Sequence, residues 1–293
     1  MKQQDCLRRF LFEEHGVRGE WVRLQDSWQQ AKQHQVLVND AVDSQLGQAL
    51  AAVVLLSATI KFKGAMIMQI QGGGELTALV AQSSNDRKIR GLVRSEANVS
   101  GINLKEMVGE SGRLVLTVES DNADPYQGIV GVVENTLAEI LKTYFTHSEQ
   151  LDTCLWLFAN KTHAAGLFIQ ELPSEKKDKE DWQRIEMLAN TVTADELLTL
   201  DCEELLHRLF NQEKVIVYEP EDVEFKCNCS RQKIGGTLSA MGRSELEAIL
   251  RERDDIEVDC QFCGAQYRFD KVDVENLLSN PLGNDETNPP TRH

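Results

Sequence analysis

Apolar residues recur at helical spacing over residues 45–62, and again at Leu137, Ile140, Leu141, Tyr144 and Phe145. Both segments are therefore predicted to be amphipathic helices packed on a core. Between them lie short β-prone runs at 65–71 and 113–118, separated by glycine-containing turns, and 156–158 and 166–170 supply two more strands. Strands and helices mix without a regular β-α-β alternation, which predicts an α+β core domain over residues 1–175. The longest apolar run, 49–58, is about half of the roughly 20 residues a bilayer span needs, and Lys61 and Lys63 follow it, so it reads as a buried helix.

After Pro173 the pattern breaks into a charge-dense run at 174–181, where the domain boundary is placed. Thr193 with Glu196 and Asp201 with Glu204 then match capping boxes, predicting two short helices that bury Leu197, Leu198, Leu205, Leu206, Leu209 and Phe210. Residues 176–226 thus read as a helical linker with one short strand at 215–218. Residues 281–293, with Pro281, Pro289 and Pro290, read as a flexible tail. No repeat of 20–50 residues is visible.

Composition narrows the functional classes. With 31 basic and 47 acidic side chains the formal charge is −16 and the sequence pI is about 4.9. Such a surface repels phosphate backbones and anionic lipid heads, and no basic patch interrupts it, so neither nucleic acid nor a membrane is an expected partner. The charged start of the chain, through Arg8, Arg9, Glu13 and Glu14, does not read as a signal peptide, and a cytoplasmic location is expected. In that reducing compartment seven cysteines point to metal or redox chemistry rather than to structural disulfides.

Four of the seven form two tight pairs, Cys227-Asn228-Cys229 and Cys260-Gln261-Phe262-Cys263, with residues 230–259 between them. Zinc favours four tetrahedral soft ligands, and two close cysteine pairs brought together by a folded loop meet that requirement. A four-sulfur shell is closed, which argues against zinc-hydroxide catalysis, where an open position must hold water. Around the pairs, Ser244 with Glu247 is expected to cap a helix bearing Leu246, Ile249 and Leu250. A strand at 256–258 leads into the second pair, Gly264 permits a tight turn, and Tyr267 and Phe269 return as the other arm of a hairpin. The resulting module, 227–280, has a thin core, so the metal is expected to carry much of its folding free energy. Two readings are open here. One is a purely structural zinc ribbon. The other is a switch, because zinc-bound thiolates are already deprotonated and two local disulfides would eject the metal; the Cys-x-Cys ring would be strained and hence labile.

The remaining candidates are weaker. Cys6, Cys154 and Cys202 sit beside apolar residues and are expected to pack as inert thiols, and His207 is expected to be a partly exposed helical residue. Gly72-Gly73-Gly74 lacks the lysine and hydroxyl residue of a phosphate loop and reads as a hairpin turn. No nucleophile elbow, kinase signature or paired metal carboxylates appear, so an enzyme is not expected. The alternatives are a zinc-ribbon interaction module of RNA or translation machinery and a disulfide oxidoreductase. The first is disfavoured by Glu245, Glu247, Glu252, Asp254, Asp255, Glu257 and Asp259 around the knuckle, and the second by the missing β-α-β context of a thioredoxin-like site.

Over nearly its whole length the chain resembles the redox-regulated 33 kDa heat-shock chaperones, bacterial holdases. The likeness rests on Cys227, Cys229, Cys260 and Cys263 in their order and spacing. It extends to Val17-Arg18-Gly19-Glu20, Leu56-Ser57-Ala58-Thr59-Ile60-Lys61-Phe62, Tyr126-Gln127-Gly128-Ile129-Val130-Gly131 and Val223-Glu224-Phe225-Lys226. The resemblance implies an α+β core, a metastable linker and a C-terminal redox sensor that holds one zinc ion when reduced. It further implies that oxidation joins Cys227 with Cys229 and Cys260 with Cys263, releases zinc, and unfolds the module and linker. The exposed apolar surface then binds unfolding proteins without ATP, typically as a dimer.

Overall fold

The computed structural model describes residues 4–35, 39–121, 123–173 and 179–279. The expected tail at 281–293, and residues 174–178 of the charge run, lie outside the described residues. The chain divides into two compact units between Lys226 and Cys227.

The first unit opens with β1 (Cys6–Phe12), β2 (Val17–Leu24), α1 (Asp26–Lys32) and α2 (Asp40–Thr59). There follow β3 (Gly64–Gln71), β4 (Leu76–Ser84), β5 (Lys88–Ser95), α3 (Leu104–Val108), β6 (Arg113–Ser120) and β7 (Ala123–Gly131). Then come α4 (Leu137–Tyr144), a π-helical turn (Phe145–Glu149), β8 (Thr153–Ala159) and β9 (Ala164–Glu171). The unit ends with α5 (Lys179–Ala189), α6 (Ala194–Thr199), α7 (Cys202–Phe210), β10 (Val215–Val217), β11 (Glu221–Asp222) and β12 (Glu224–Phe225). The strands form two sheets. In one the order is β10-β1-β2-β9-β8, with β11 also paired to β1; in the other it is β12-β5-β4-β3-β6-β7. Every pairing in these sheets is antiparallel except that of β12 with β5. The α+β class expected from the sequence is thus borne out.

Helix α2 starts where the Asn39 side chain accepts the Val42 amide, five residues earlier than the apolar spacing suggested, and ends at Thr59, with Ile60 extended. It is not amphipathic, because it lies between the two sheets and its apolar residues are buried on all sides. Among the described residues it is the one helix long and apolar enough to cross a membrane. However, 72% of that apolar window is buried inside the fold, as befits a core helix. Helix α4 carries a capping box formed by Thr136 and Glu139, and its apolar residues bury as expected.

The first strands were hidden in the sequence by their charges. Along β1 the alternation places Leu7 in the core with α2, while Cys6, Phe10 and Phe12 face the other side of the sheet. Phe10 stands opposite Gly19, where a Cβ would sit 2.1 Å from the ring, so glycine there gives the aromatic ring its seat.

That outer face forms a second core. Phe10, Phe12, Val17, Trp21, Ala165, Leu167 and Ile169 pack against Trp182 and Ile185 of α5, Leu197 and Leu198 of α6, and Leu205, Leu206, Leu209 and Phe210 of α7. Both linker capping boxes expected from the sequence are formed, and the residues they were expected to bury are buried. Residues 179–226 are therefore packed into the first unit. Ion pairs rim the contact, Arg23 to Asp201 at 2.5 Å, Arg8 to Glu203 at 3.0 Å and Lys142 to Glu186 at 2.9 Å, and the His15 ring lies 2.9 Å from both the Asp181 and Glu213 carboxylates.

The second unit contains α8 (Arg231–Met241), α9 (Arg243–Glu252), the hairpin β13 (Asp255–Asp259) and β14 (Gln266–Asp270), and α10 (Lys271–Ser279). The expected cap at Ser244 is overturned. Helix α8 ends and α9 begins on Gly242, whose φ of +89° suits glycine, so α9 starts before Ser244. The core among the described residues consists of Leu238, Leu246, Leu250, Ile256, Phe269 and Val274, with the Arg231 guanidinium 4.3 Å from the centre of the Phe269 ring.

Candidate metal centre

Cys227 and Cys229 lie in the extended segment just before α8, whose first turn is closed by the Ser230 hydroxyl accepting the Lys233 amide. Cys260 and Cys263 lie in the turn joining β13 to β14. The Cys260 amide donates to the Ala265 carbonyl at 2.8 Å, and the Gly264 amide donates to the Cys260 carbonyl at 2.7 Å. Gly264 has a φ of +68°, the left-handed conformation that the tight turn requires. Backbone bonds of the hairpin turn thus fix the second pair, and the first pair sits immediately before the side-chain cap of α8.

All four sulfurs lie within 4.8 Å of one another. Cys227 Sγ is 3.7 Å from Cys260 Sγ, and Cys229 Sγ is 3.4 Å from Cys263 Sγ. A tetrahedron of sulfurs at about 2.3 Å from a central zinc would have edges of about 3.8 Å, so the cluster has the size of a four-thiolate metal site. Both of these sulfur contacts run between the two pairs, and no disulfide joins any of the seven cysteines in this structure.

Protons compete for the same space. Burial pushes the Cys229 thiol up, but hydrogen bonds from Tyr267, whose hydroxyl donates at 3.2 Å, and from the other three thiols together bring it down to about 7. Cys263 is pushed up to about 12, by burial first and then by its bonds with the other thiols. The four thiols titrate as one coupled set, and a bound metal would have to displace their protons. The Tyr267 hydroxyl contact was not foreseen; the sequence indicated only that Tyr267 returns along the hairpin.

The other cysteines offer no such chemistry. Burial raises Cys6 to about 11 and Cys154 and Cys202 to about 12, and the Cys154 thiol also donates to Glu186 at 3.0 Å, so all three are held as thiols. His207 is exposed on α7, as expected. Gly72-Gly73-Gly74 joins β3 to β4 as a hairpin turn beside α3, the Gly74 amide donating to the Val108 carbonyl at 2.9 Å. The residues that sequence reasoning missed are the arginines at the rim of the second core. Arg8 and Arg23 gave no signal beyond charge, and their partners lie about two hundred residues away in the chain.

A family model described as Hsp33 protein matches residues 5–270. The chain belongs to the Hsp33 family. A 33 kDa chaperonin of Nitrosococcus oceani is 51% identical over 296 residues, covering the whole of both chains. One of Shewanella putrefaciens is 40% identical and covers 94% of this chain and 96% of its own. The solved 33 kDa chaperonin (heat shock protein 33 homolog) of Thermotoga maritima superposes with a TM-score of 0.80 at 24% identity. That match covers 94% of this chain and 98% of the other, and shows the same fold. The Hsp33 family is one of chaperones, a non-enzymatic role, and the absence of an enzyme signature in the sequence accords with it.

Proposed function

We propose that this protein is a redox-regulated, ATP-independent holdase. When reduced, Cys227, Cys229, Cys260 and Cys263 hold one zinc ion, which supplies a closed tetrahedral tie between the 227–229 segment and the hairpin turn. When a peroxide-class oxidant arrives, Cys227 joins Cys229 and Cys260 joins Cys263. As each S–S bond forms, its thiolate pair gives up two electrons that break one peroxide O–O bond, which takes two protons from solvent and leaves as water (with an alcohol, for an organic peroxide), and zinc leaves as its thiolate ligands are consumed. Six buried apolar side chains cannot hold the module without that tie.

The observation that carries the reading is the second core. An apolar face of one sheet is covered by α5, α6 and α7, of 11, 6 and 9 residues, each too short to persist alone in water. Cys227 directly follows Lys226, whose amide donates to the Ile89 carbonyl at 2.9 Å as the last bond of that segment to the sheets. Unfolding of the module thus begins at the end of the covering segment. Residues 176–226 act as a metastable linker between the core at 1–175 and the sensor at 227–280. With the linker released, Phe10, Phe12, Val17, Trp21, Leu167 and Ile169 face solvent and take up the exposed apolar groups of unfolding proteins. The protein works in the cytoplasm, associates as a dimer when oxidised, and uses neither nucleic acid nor a membrane as partner.

The test is a single sample assayed before and after peroxide for bound zinc, for suppression of client aggregation and for hydrogen exchange. One equivalent of zinc should be lost as suppression appears, and protection over 179–226 should fall while α2 stays protected. Suppression with zinc retained, or with 179–226 still protected, would overturn the reading.

A further inference from the structure

On one side β1 pairs with β2; among the described residues its other side is paired by the linker alone. Phe10, Leu11 and Phe12 stand opposite Val217, Ile216 and Val215, and Cys6 and Leu7 opposite Asp222 and Glu221. The Tyr218 amide donates to the Arg9 carbonyl at 2.9 Å and the Val223 amide to the Asp5 carbonyl at 3.0 Å, while the Glu13 amide donates to the Lys214 carbonyl at 3.0 Å. Once the linker lifts, residues 5–13 become an open strand edge, the most adhesive backbone a sheet can present.

What now occupies the edge defines what fits it. Val215 and Val217 pack on the second core, while the intervening Ile216 is 42% exposed, so the occupant is a strand with apolar side chains at alternate positions. The edge also carries cations that the linker neutralises. Arg9 and Arg87 both pair with Glu221 at 3.1 Å, and Arg8 pairs with Glu203. In a chain of net charge −16, release of the linker would bare a local cluster of arginines.

We propose that the β1 edge is a client-strand site. An extended segment of an unfolding protein, apolar at alternate positions and bracketed by carboxylates, adds to β1 in the place that residues 214–223 hold in the reduced protein. The bonds would be between main chains, which every sequence can supply, so the site suits a chaperone that meets many clients, with the apolar alternation and flanking acids adding preference. The inference rests on the release of the linker proposed above.

The test follows hydrogen exchange in the full-length oxidised protein, alone and with reduced, carboxymethylated α-lactalbumin as a permanently unfolded client. Amides of residues 5–13 should exchange at least tenfold faster after oxidation and slow at least tenfold again when the client binds. A second measurement excludes re-docking of the linker as the source of that protection. In Tyr218→Pro the amide that donates to Arg9 is gone, and the client should protect 5–13 to within twofold of the unsubstituted protein. If the linker is released and aggregation is suppressed while 5–13 stays open in the complex, or if the protection vanishes in Tyr218→Pro, strand addition is wrong and the holdase reading stands. If the linker never loses protection, both fall.

Discussion

The sheet containing β1, β2, β8 and β9 has an apolar core on each side, and the two differ in what closes them. The inner one is shut by α2, a twenty-residue helix, and by the second sheet, whose strands pair with one another along their length. The outer one is shut by three short helices, rimmed by ion pairs and tied to the sheet edges by β10, β11 and β12. Burial favours both faces per unit area alike. The difference lies in the covering. Short helices cannot remain folded without the face they cover, so the outer layer is gained or lost as a unit, whereas the inner layer is bound into the sheets. A single sheet can therefore be closed on one side by a layer bound into the sheets and on the other by a layer that can separate from it.

The largest effect should come from the metal. Structural zinc in small modules contributes an apparent 10–16 kcal/mol, more than six buried side chains at about 1.5–3 kcal/mol each leave after chain entropy is met. Chelation under reducing conditions, or Cys260→Ser, should abolish hydrogen-exchange protection across β13 and β14 while leaving α2 protected. A module that stays protected without metal would break this half of the comparison.

Next come core truncations that separate the two layers. Leu50→Ala in α2 and Leu205→Ala in α7 each remove a fully buried side chain and should each cost about 2–5 kcal/mol. Leu50→Ala should lower the denaturant midpoint of the whole first unit without baring a binding surface. Leu205→Ala should instead open the outer layer alone and give partial suppression of client aggregation while the protein is still reduced. Equal suppression by both variants would mean that the layers do not open separately.

A smaller effect comes from Glu20, on the inner side of β2. Burial pushes its carboxyl up to about 7, against the opposing pull of Arg18, Arg9 and Arg87. The folded state then keeps a proton that the unfolded chain, titrating near 4.5, has released. The stability this group contributes is full below about pH 4.5 and is lost as pH rises through about 7. Relative to Glu20→Gln, the unsubstituted protein should lose stability between pH 5 and pH 8 in urea titrations, and the difference should be flat below pH 4.5. Parallel curves across that window would remove the assigned proton.

How much of this was legible varied with the range of the interactions. The linker helices could be read because a capping box is local: Thr193 and Glu196, or Asp201 and Glu204, lie within one turn. The clustering of the four cysteines could be read because a metal site of that kind would limit the spacing of its ligands. The strands β1 and β2 could not, because Arg8 and Arg23 look like surface charges until Glu203 and Asp201 arrive from far along the chain. The cap at Ser244 misled for the opposite reason. Ser244 and Glu247 have the local pattern, but Gly242 had already started the helix. Nor could periodicity say that the linker leucines would meet Phe10, Phe12 and Trp21, since a helix pattern reveals a buried face and not its partner.

The smallest effect tests the outer layer most finely. In the box that starts α6, Glu196 accepts from the Thr193 amide at 2.9 Å and from its hydroxyl at 2.8 Å, and that hydroxyl accepts from the Glu196 amide at 3.3 Å. Glu196 also pairs with Arg208 of α7, so the cap ties two of the three covering helices together. Thr193→Ala leaves the apolar residues untouched and should cost about 1 kcal/mol, a factor of about five in an opening equilibrium. That factor should appear in the exchange of α6 and α7 amides, with α2 amides unchanged, and the reduced protein should become active sooner after peroxide is added. If α2 amides sped up equally, the helices would be opening only with the whole unit, and the outer layer would not be the separable covering that its short helices imply.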